Sequence, residues 1–280
     1  MLAIRRSPAA APNDRLTEAP AREGESNRQW LARVGAAEGI LLLGGNSLAH
    51  FRIRVAQSHV RSDFVPSFWS LVGILEGDRT FVSVPLDLIG SASEVPRRNG
   101  VQRCVLADYD DPAHFPNIAV LQFTRDAQPI KDNIERITEQ RNVVDLPRLM
   151  VSWLAYIWGT GRSGNPLLEG EGLPSAAFVE TVYGLSRLEL TPGLASASSC
   201  PEAIWQSAKW WHQFYEGRTT TGDDAHAVAT IPTGNFTIRQ PAAAVVEHEA
   251  EPEDRQPPAV EQEAEPAQKT RRPRPPQRRR

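Results

Sequence analysis

The sequence predicts an α+β domain over residues 28–240, a mostly antiparallel sheet packed against helices. Five or six short apolar runs with brief polar connections fill the first part of that span, as antiparallel pairing requires. Amphipathic segments with a helical period follow, and strands that precede helices mark the α+β class. A composition of 40% hydrophobic and 23% charged residues supports a real core.

In chain order, Gly39-Ile-Leu-Leu-Leu43 stops at Gly44-Gly45 and reads as a buried strand. His50-Phe-Arg-Ile-Arg-Val55 alternates polar with apolar, the pattern of a half-exposed strand. Phe68–Leu75 and Thr80–Val84 flank Glu76-Gly-Asp-Arg79, whose Gly-Asp pair predicts a hairpin. Val101–Leu106 and Ile118–Phe123 follow as strands, and Phe236-Thr-Ile238 forms a last short one.

The helices are marked by spacing and by caps. Ile130, Ile134 and Ile137 keep a helical period. A second helix starts near Asp145, with Pro147 in its first turn, presents Leu149, Met150, Trp153, Leu154 and Ile157, and ends at Gly159–Gly164. Ala176–Leu185 is the third. The fourth opens at Ser199-Cys-Pro-Glu202, a fit to a capping box, and carries Ile204, Ala208, Trp211 and Tyr215.

Both ends of the chain differ from this domain. Residues 1–27 mix Ala, Pro, Arg and Glu without an apolar period, which predicts a disordered N-terminal segment. Residues 241–280 predict a second one, acidic over 247–265 and carrying only positive charge over 269–280. Such a tail suits a protein partner, with Arg274-Pro-Pro-Gln-Arg278 as a polyproline ligand. Contact with nucleic acid through phosphates is the weaker expectation, because the core offers no basic, aromatic-interleaved groove.

Several function classes are disfavoured. A net charge of -3 gives no field toward nucleic acid or anionic membrane. Two cysteines, Cys104 and Cys200, make neither a disulfide framework nor a zinc site, and predict buried thiols in a reducing compartment. Asp108-Tyr-Asp-Asp111 reads as a solvated turn, so no metal and no cofactor is expected. Met1-Leu-Ala-Ile-Arg-Arg6 lacks a following apolar region and no apolar run is long enough to span a bilayer, which predicts a cytoplasmic protein.

Segments in one order along residues 39–211 resemble bacterial, circularly permuted papain-like amidases of the NlpC-related family. Gly39-Ile-Leu-Leu-Leu43 resembles the opening strand, and Ser70-Leu-Val-Gly-Ile74 the strand that bears the catalytic His. Asn99–Tyr109 and Ile118-Ala-Val-Leu121 resemble the strands that follow. Pro174-Ser-Ala-Ala-Phe-Val-Glu180 resembles the helix that bears the Cys nucleophile, and Leu188–Pro192 with Cys200–Trp205 the closing segment. The resemblance implies a papain-like fold and attack of a thiolate on an acyl carbon.

Carried over residue by residue, the nucleophile falls on Ser175, the base on Leu71 and the following polar residue on Ser83. Ile40 stands where the family has an Asp. A Leu takes no proton, and a helix dipole worth about 1 kcal/mol does not ionise a Ser hydroxyl. The resemblance therefore implies a catalytically degenerate domain that binds or scaffolds. The alternative is a working amide or ester hydrolase, or acyltransferase, in which His59 or His50 activates Ser175. Ser175 is otherwise expected to cap its helix. Trp205, Trp210, Trp211, Phe214 and Tyr215 concentrate aromatic surface on one helix; Trp210 and Phe214 are the expected docking residues if exposed.

Overall fold

A computed structural model describes residues 16–86, 99–123, 127–139, 144–159, 163–216 and 232–240, with side chains left out at 212–216. The chain divides into two units, Met1–Val245 and Val246–Arg280. The second unit, with the acidic and basic tail expected there, lies outside the described residues, as does 1–15.

The first unit holds seven strands: β1 (Leu16–Glu18), β2 (Glu38–Gly44), β3 (Leu71–Glu76), β4 (Thr80–Ser83), β5 (Gln102–Val105), β6 (Asn117–Gln122) and β7 (Thr233–Ile238). Its helices are α1 (Asn27–Arg33), α2 (Leu48–Ala56), α3 (Gln128–Glu139), α4 (Leu146–Trp158), α5 (Pro174–Leu185) and α6 (Pro201–Glu216). The strands make one sheet in the order β1-β7-β6-β2-β3-β4-β5. Every pairing is antiparallel except β1 with β7, so the fold is α+β with a mostly antiparallel, mixed sheet.

The central place of β2 explains its unbroken apolar run. Ile40 and Leu42 pack under the helices α2 to α6, whereas Leu41 and Leu43 enter a second cluster with Trp30, Phe81, Tyr109 and Phe115. A strand covered on both faces has no position for a polar side chain. The β3–β4 hairpin turns at Gly77, whose φ of +82° is the left-handed conformation that Gly adopts without strain. Among the described residues no helix is long and apolar enough to cross a membrane.

Three expectations change. Residues 50–55 are not a strand but the body of α2. Ser47 caps it by accepting from His50 N, and Ala49, Ile53 and Ala56 are buried at helical spacing. The polar residues on that face, His50 and Arg54, are buried as well, which mimics alternation over six residues.

The disordered segment expected over 1–27 does not extend through 16–27. Leu16–Glu18 pair with β7, and Ser26 with Gln29 closes a capping box at α1. Such a short strand gains its partners only from the end of the domain, some 200 residues on.

The capping box expected at Ser199 and Glu202 does not form. Ser199 Oγ instead donates to Glu180 Oε1 at 3.0 Å, and Glu202 N donates to Gln57 Oε1 at 2.9 Å. Tertiary partners from α5 and from Gln57, just after α2, thus replace the local cap.

Candidate functional site

The three positions implied by the papain-like resemblance do not converge. Ser175 lies in the first turn of α5, 2% exposed, just after Pro174. It is not the cap: that position belongs to Leu173, which makes no side-chain cap bond. Its neighbours Ala176, Ala177, Phe178 and Val179 pack with Val72 and Ile74 of β3. Leu71 points the other way, into the cluster of Leu41, Leu43 and Phe81 on the far face of the sheet. Period-two alternation makes this unavoidable: if 72 and 74 face α5, 71 cannot.

Ser83 is also committed elsewhere. Its hydroxyl donates to Val72 O at 2.6 Å, just beyond the last β3–β4 register pair, Ile74 with Val82. Ile40 is wholly buried in the core.

Neither candidate base is joined to Ser175. His59 Nδ1 lies 3.0 Å from Ala56 O. His50 is buried and stands edge-on to the Phe115 ring at 5.1 Å, among residues of the cluster across the sheet. A serine hydroxyl without a base bound to it has no route to its alkoxide.

The end of α2, the segment before β3 and the start of α6 instead share a buried polar network that the sequence did not reveal. Arg54, wholly buried, donates through Nε to Ser67 O at 2.6 Å and through Nη1 to Gly45 O at 3.4 Å. Gln57 Nε2 donates to Ile53 O and Trp69 O, while its Oε1 meets the start of α6. Ser67 Oγ and Gln206 Nε2 both donate to the Glu202 carboxylate. Burial pushes the Glu202 carboxyl above its ordinary range and the Arg54 guanidinium below its own.

Glu180 forms a second buried acid, accepting from Thr191 Oγ1 at 2.6 Å and from Ser199 Oγ; burial raises it too. Cys200, fully enclosed beside both acids, is pushed up to about 12, chiefly by burial. Such a thiol is inert rather than nucleophilic. Polar residues at His50, Arg54 and Gln57, spaced three, four and three apart from the Ser47 cap onward, were the available signal. The strand reading of 50–55 concealed it.

The acidic run 108–111 is tied into turns. Asp110 Oδ1 accepts from Arg28 N, and Asp111 accepts from Ala113 N while its other oxygen meets His114 Nδ1 at 2.8 Å. Among the described residues no group of three or more His, Cys, Asp or Glu side chains is arranged to hold a metal ion.

Two of the clefts between described residues adjoin large apolar side chains. One, of about 310 Å3, lies at the end of the sheet between β2, β6, α3 and α5, lined by Ile74, Phe123, Ile130 and Tyr183, with the Glu38–Lys131 ion pair at 3.0 Å on its rim. The other, of about 480 Å3, runs along α6 between Val60, Pro192, Ala203, Trp210 and Trp211. Trp205 is core, packed against Trp69 and Phe236. Trp210 is half exposed and stands edge-on to Trp211 at 4.7 Å. The side chains of Phe214 and Tyr215 lie outside the described residues.

No family model matches the chain, and neither the curated proteins nor the solved structures contain a significant match to it.

Proposed function

We propose that this chain is a binding or scaffolding module, built on a permuted papain-like domain that has lost its chemistry. The observation that carries the reading is the separation of Leu71 and Ser175 onto opposite faces of β3, with Ser175 buried and without a base. The family's attack needs nucleophile and base within hydrogen-bond reach of one another. A buried network centred on Glu202 ties the start of α6 to the segment between α2 and β3.

The cleft along α6 is the docking surface this reading favours. Exposed tryptophan beside Pro192 and Val60 offers large apolar contact area at little entropy cost, the composition of an interaction hot spot. A protein partner is the ligand class that such a surface suits, and the charged segment 247–280 suits one as well.

Labelling with a fluorophosphonate, read by intact mass on the wild type and on Ser175→Ala, tests the reading. The expected result is no adduct on either protein while both remain folded by circular dichroism. A stoichiometric adduct that disappears in Ser175→Ala overturns it in favour of an active hydrolase.

A further inference from the structure

Helix α4 is apolar nearly all round, although it lies on the surface. Of its 13 residues, Leu-Pro-Arg-Leu-Met-Val-Ser-Trp-Leu-Ala-Tyr-Ile-Trp, only Arg148 carries a charge. Leu146, Leu149, Trp153 and Ile157 fill the core. The opposite side exposes Val151 at 69% and Trp158 at 62%, with Ala155 exposed between them. A helix that is hydrophobic on every side is normally covered on every side.

The exposed residues Arg148, Val151, Ala155 and Trp158 are spaced three, four and three apart, the seam of a two-turn heptad pattern. That spacing reads the same from either end. Set against itself antiparallel about a twofold axis, the seam brings Arg148 opposite Trp158 of the second copy and Val151 opposite its Ala155. A twofold interface requires this reciprocity, in which residue i meets j and j meets i.

The chemistry of each layer is complementary. The Arg148 guanidinium is held by Glu171, at the side of α4, and by Asp145 at 3.6 Å, yet remains 61% exposed. A guanidinium that bonds carboxylates in its plane still offers a face to stack on indole, a cation–π contact. The small Ala155 leaves room for Val151. Antiparallel pairing also keeps the two Arg148 side chains about 15 Å apart at the helical rise, whereas a parallel pair sets them side by side.

We infer that α4 is the self-association face of this chain, joining two copies through an antiparallel helix pair with Arg148 stacked on the partner's Trp158. One helix seam is small, so the exposed apolar residues on the elements packed beside α4 extend it: Leu48 and Val55 on α2, and Leu168 in the turn Pro166–Glu169. A dimer held by so few side chains is expected to be weak, with a Kd on the order of micromolar.

Sedimentation equilibrium of the full chain tests this, with Trp158→Glu and Ala155→Glu as two variants on exposed positions. The expected result is a reversible dimer that both variants convert to monomer with unchanged circular dichroism. Arg148→Ala weakens it by about tenfold, because the cation–π contact is made twice. Register is read separately by oxidising a mixture of Val151→Cys and Ala155→Cys chains; Cys104 and Cys200 are buried and do not compete. The mixed disulfide is expected to exceed either homodimer. A chain that stays monomeric at about 300 μM, far above that micromolar range, overturns the inference. So does a dimer that persists in Trp158→Glu, or cross-linking that does not prefer the mixed pair.

Discussion

Glu202 Oε1 lies 3.6 Å from the Arg61 guanidinium, and the carboxylate has no exposed surface. Arg61 reaches it from the segment after α2, held against Asp63 by bonds of 2.9 and 2.6 Å and over the Phe68 ring at 4.5 Å. One acid thus ties the start of α6 to the chain between α2 and β3, across 135 positions of sequence.

The raised carboxyls of Glu202 and Glu180 set a pH dependence. Both stay protonated in the folded chain at pH values where the unfolded chain, with ordinary carboxyls near 4.5, has released its protons. The folded state then binds more protons, so stability falls as pH rises from about 4.5 through the raised values. Urea midpoints from pH 4.5 to 8 are expected to show Glu180→Gln and Glu202→Gln losing less stability over this interval than the wild type. A difference from wild type that is independent of pH counts against burial as the cause.

The opposite sign applies to Glu25, lowered to about 2 chiefly by its hydrogen bond from Arg33. Its contribution is present above the unfolded value of 4.5 and is lost as pH falls toward 2. Glu25→Gln is expected to lower the urea midpoint above about pH 4.5 and to meet the wild type again as pH falls toward 2.

Neither cysteine is expected to react in the folded protein. Cys104 and Cys200 are 3% and 1% exposed, and Cys200 is pushed up to about 12. Ellman's reagent at pH 8 is expected to find no fast thiol in native buffer and two after denaturation. A fast-reacting thiol in native buffer shows that one of these sites opens.

Two glycines separate close approach from mere flexibility. A Cβ at Gly44 would stand 1.9 Å from Phe68 O, a backbone atom that has no freedom to yield. Gly44→Ala is expected to cost about 3 kcal/mol by thermal melt. Gly184, near the end of α5, has nothing within 4 Å of that position. Gly184→Ala is expected to stabilise by about 0.5 kcal/mol through helix propensity.

The α6 tryptophans are expected to divide by burial. Trp205→Ala empties a site between Trp69 and Phe236 and costs about 4 kcal/mol. Trp210→Ala, at a half-exposed site, costs about 1 kcal/mol or less. Denaturant midpoints of the two variants read the contrast directly.

Much of the domain was legible in residue order because its cues are local. The run Ile40–Leu43, the Gly77 turn, the isoleucine period of α3 and Asp145 before α4 each act within a few residues, and each element forms where those cues place it. The sequence also determined that Leu71 and Ser175 stand where the resemblance implies a His and a Cys, since side-chain identity needs no coordinates.

What only the tertiary structure decided depends on partners distant in sequence. Residues 50–55 alternate like a strand, but Ser47 and the burial of Arg54 against Ser67 and Gly45 make them helix. Leu16–Glu18 become a strand because β7 supplies a parallel neighbour. Glu202 looked like a cap and became a buried acid, because Gln57, Ser67 and Arg61 converge on it from another part of the chain. The face toward which Leu71 points was settled by which alternate residues of β3 meet α5. A period of two is written in the strand, but its phase is set by the layer that packs on it.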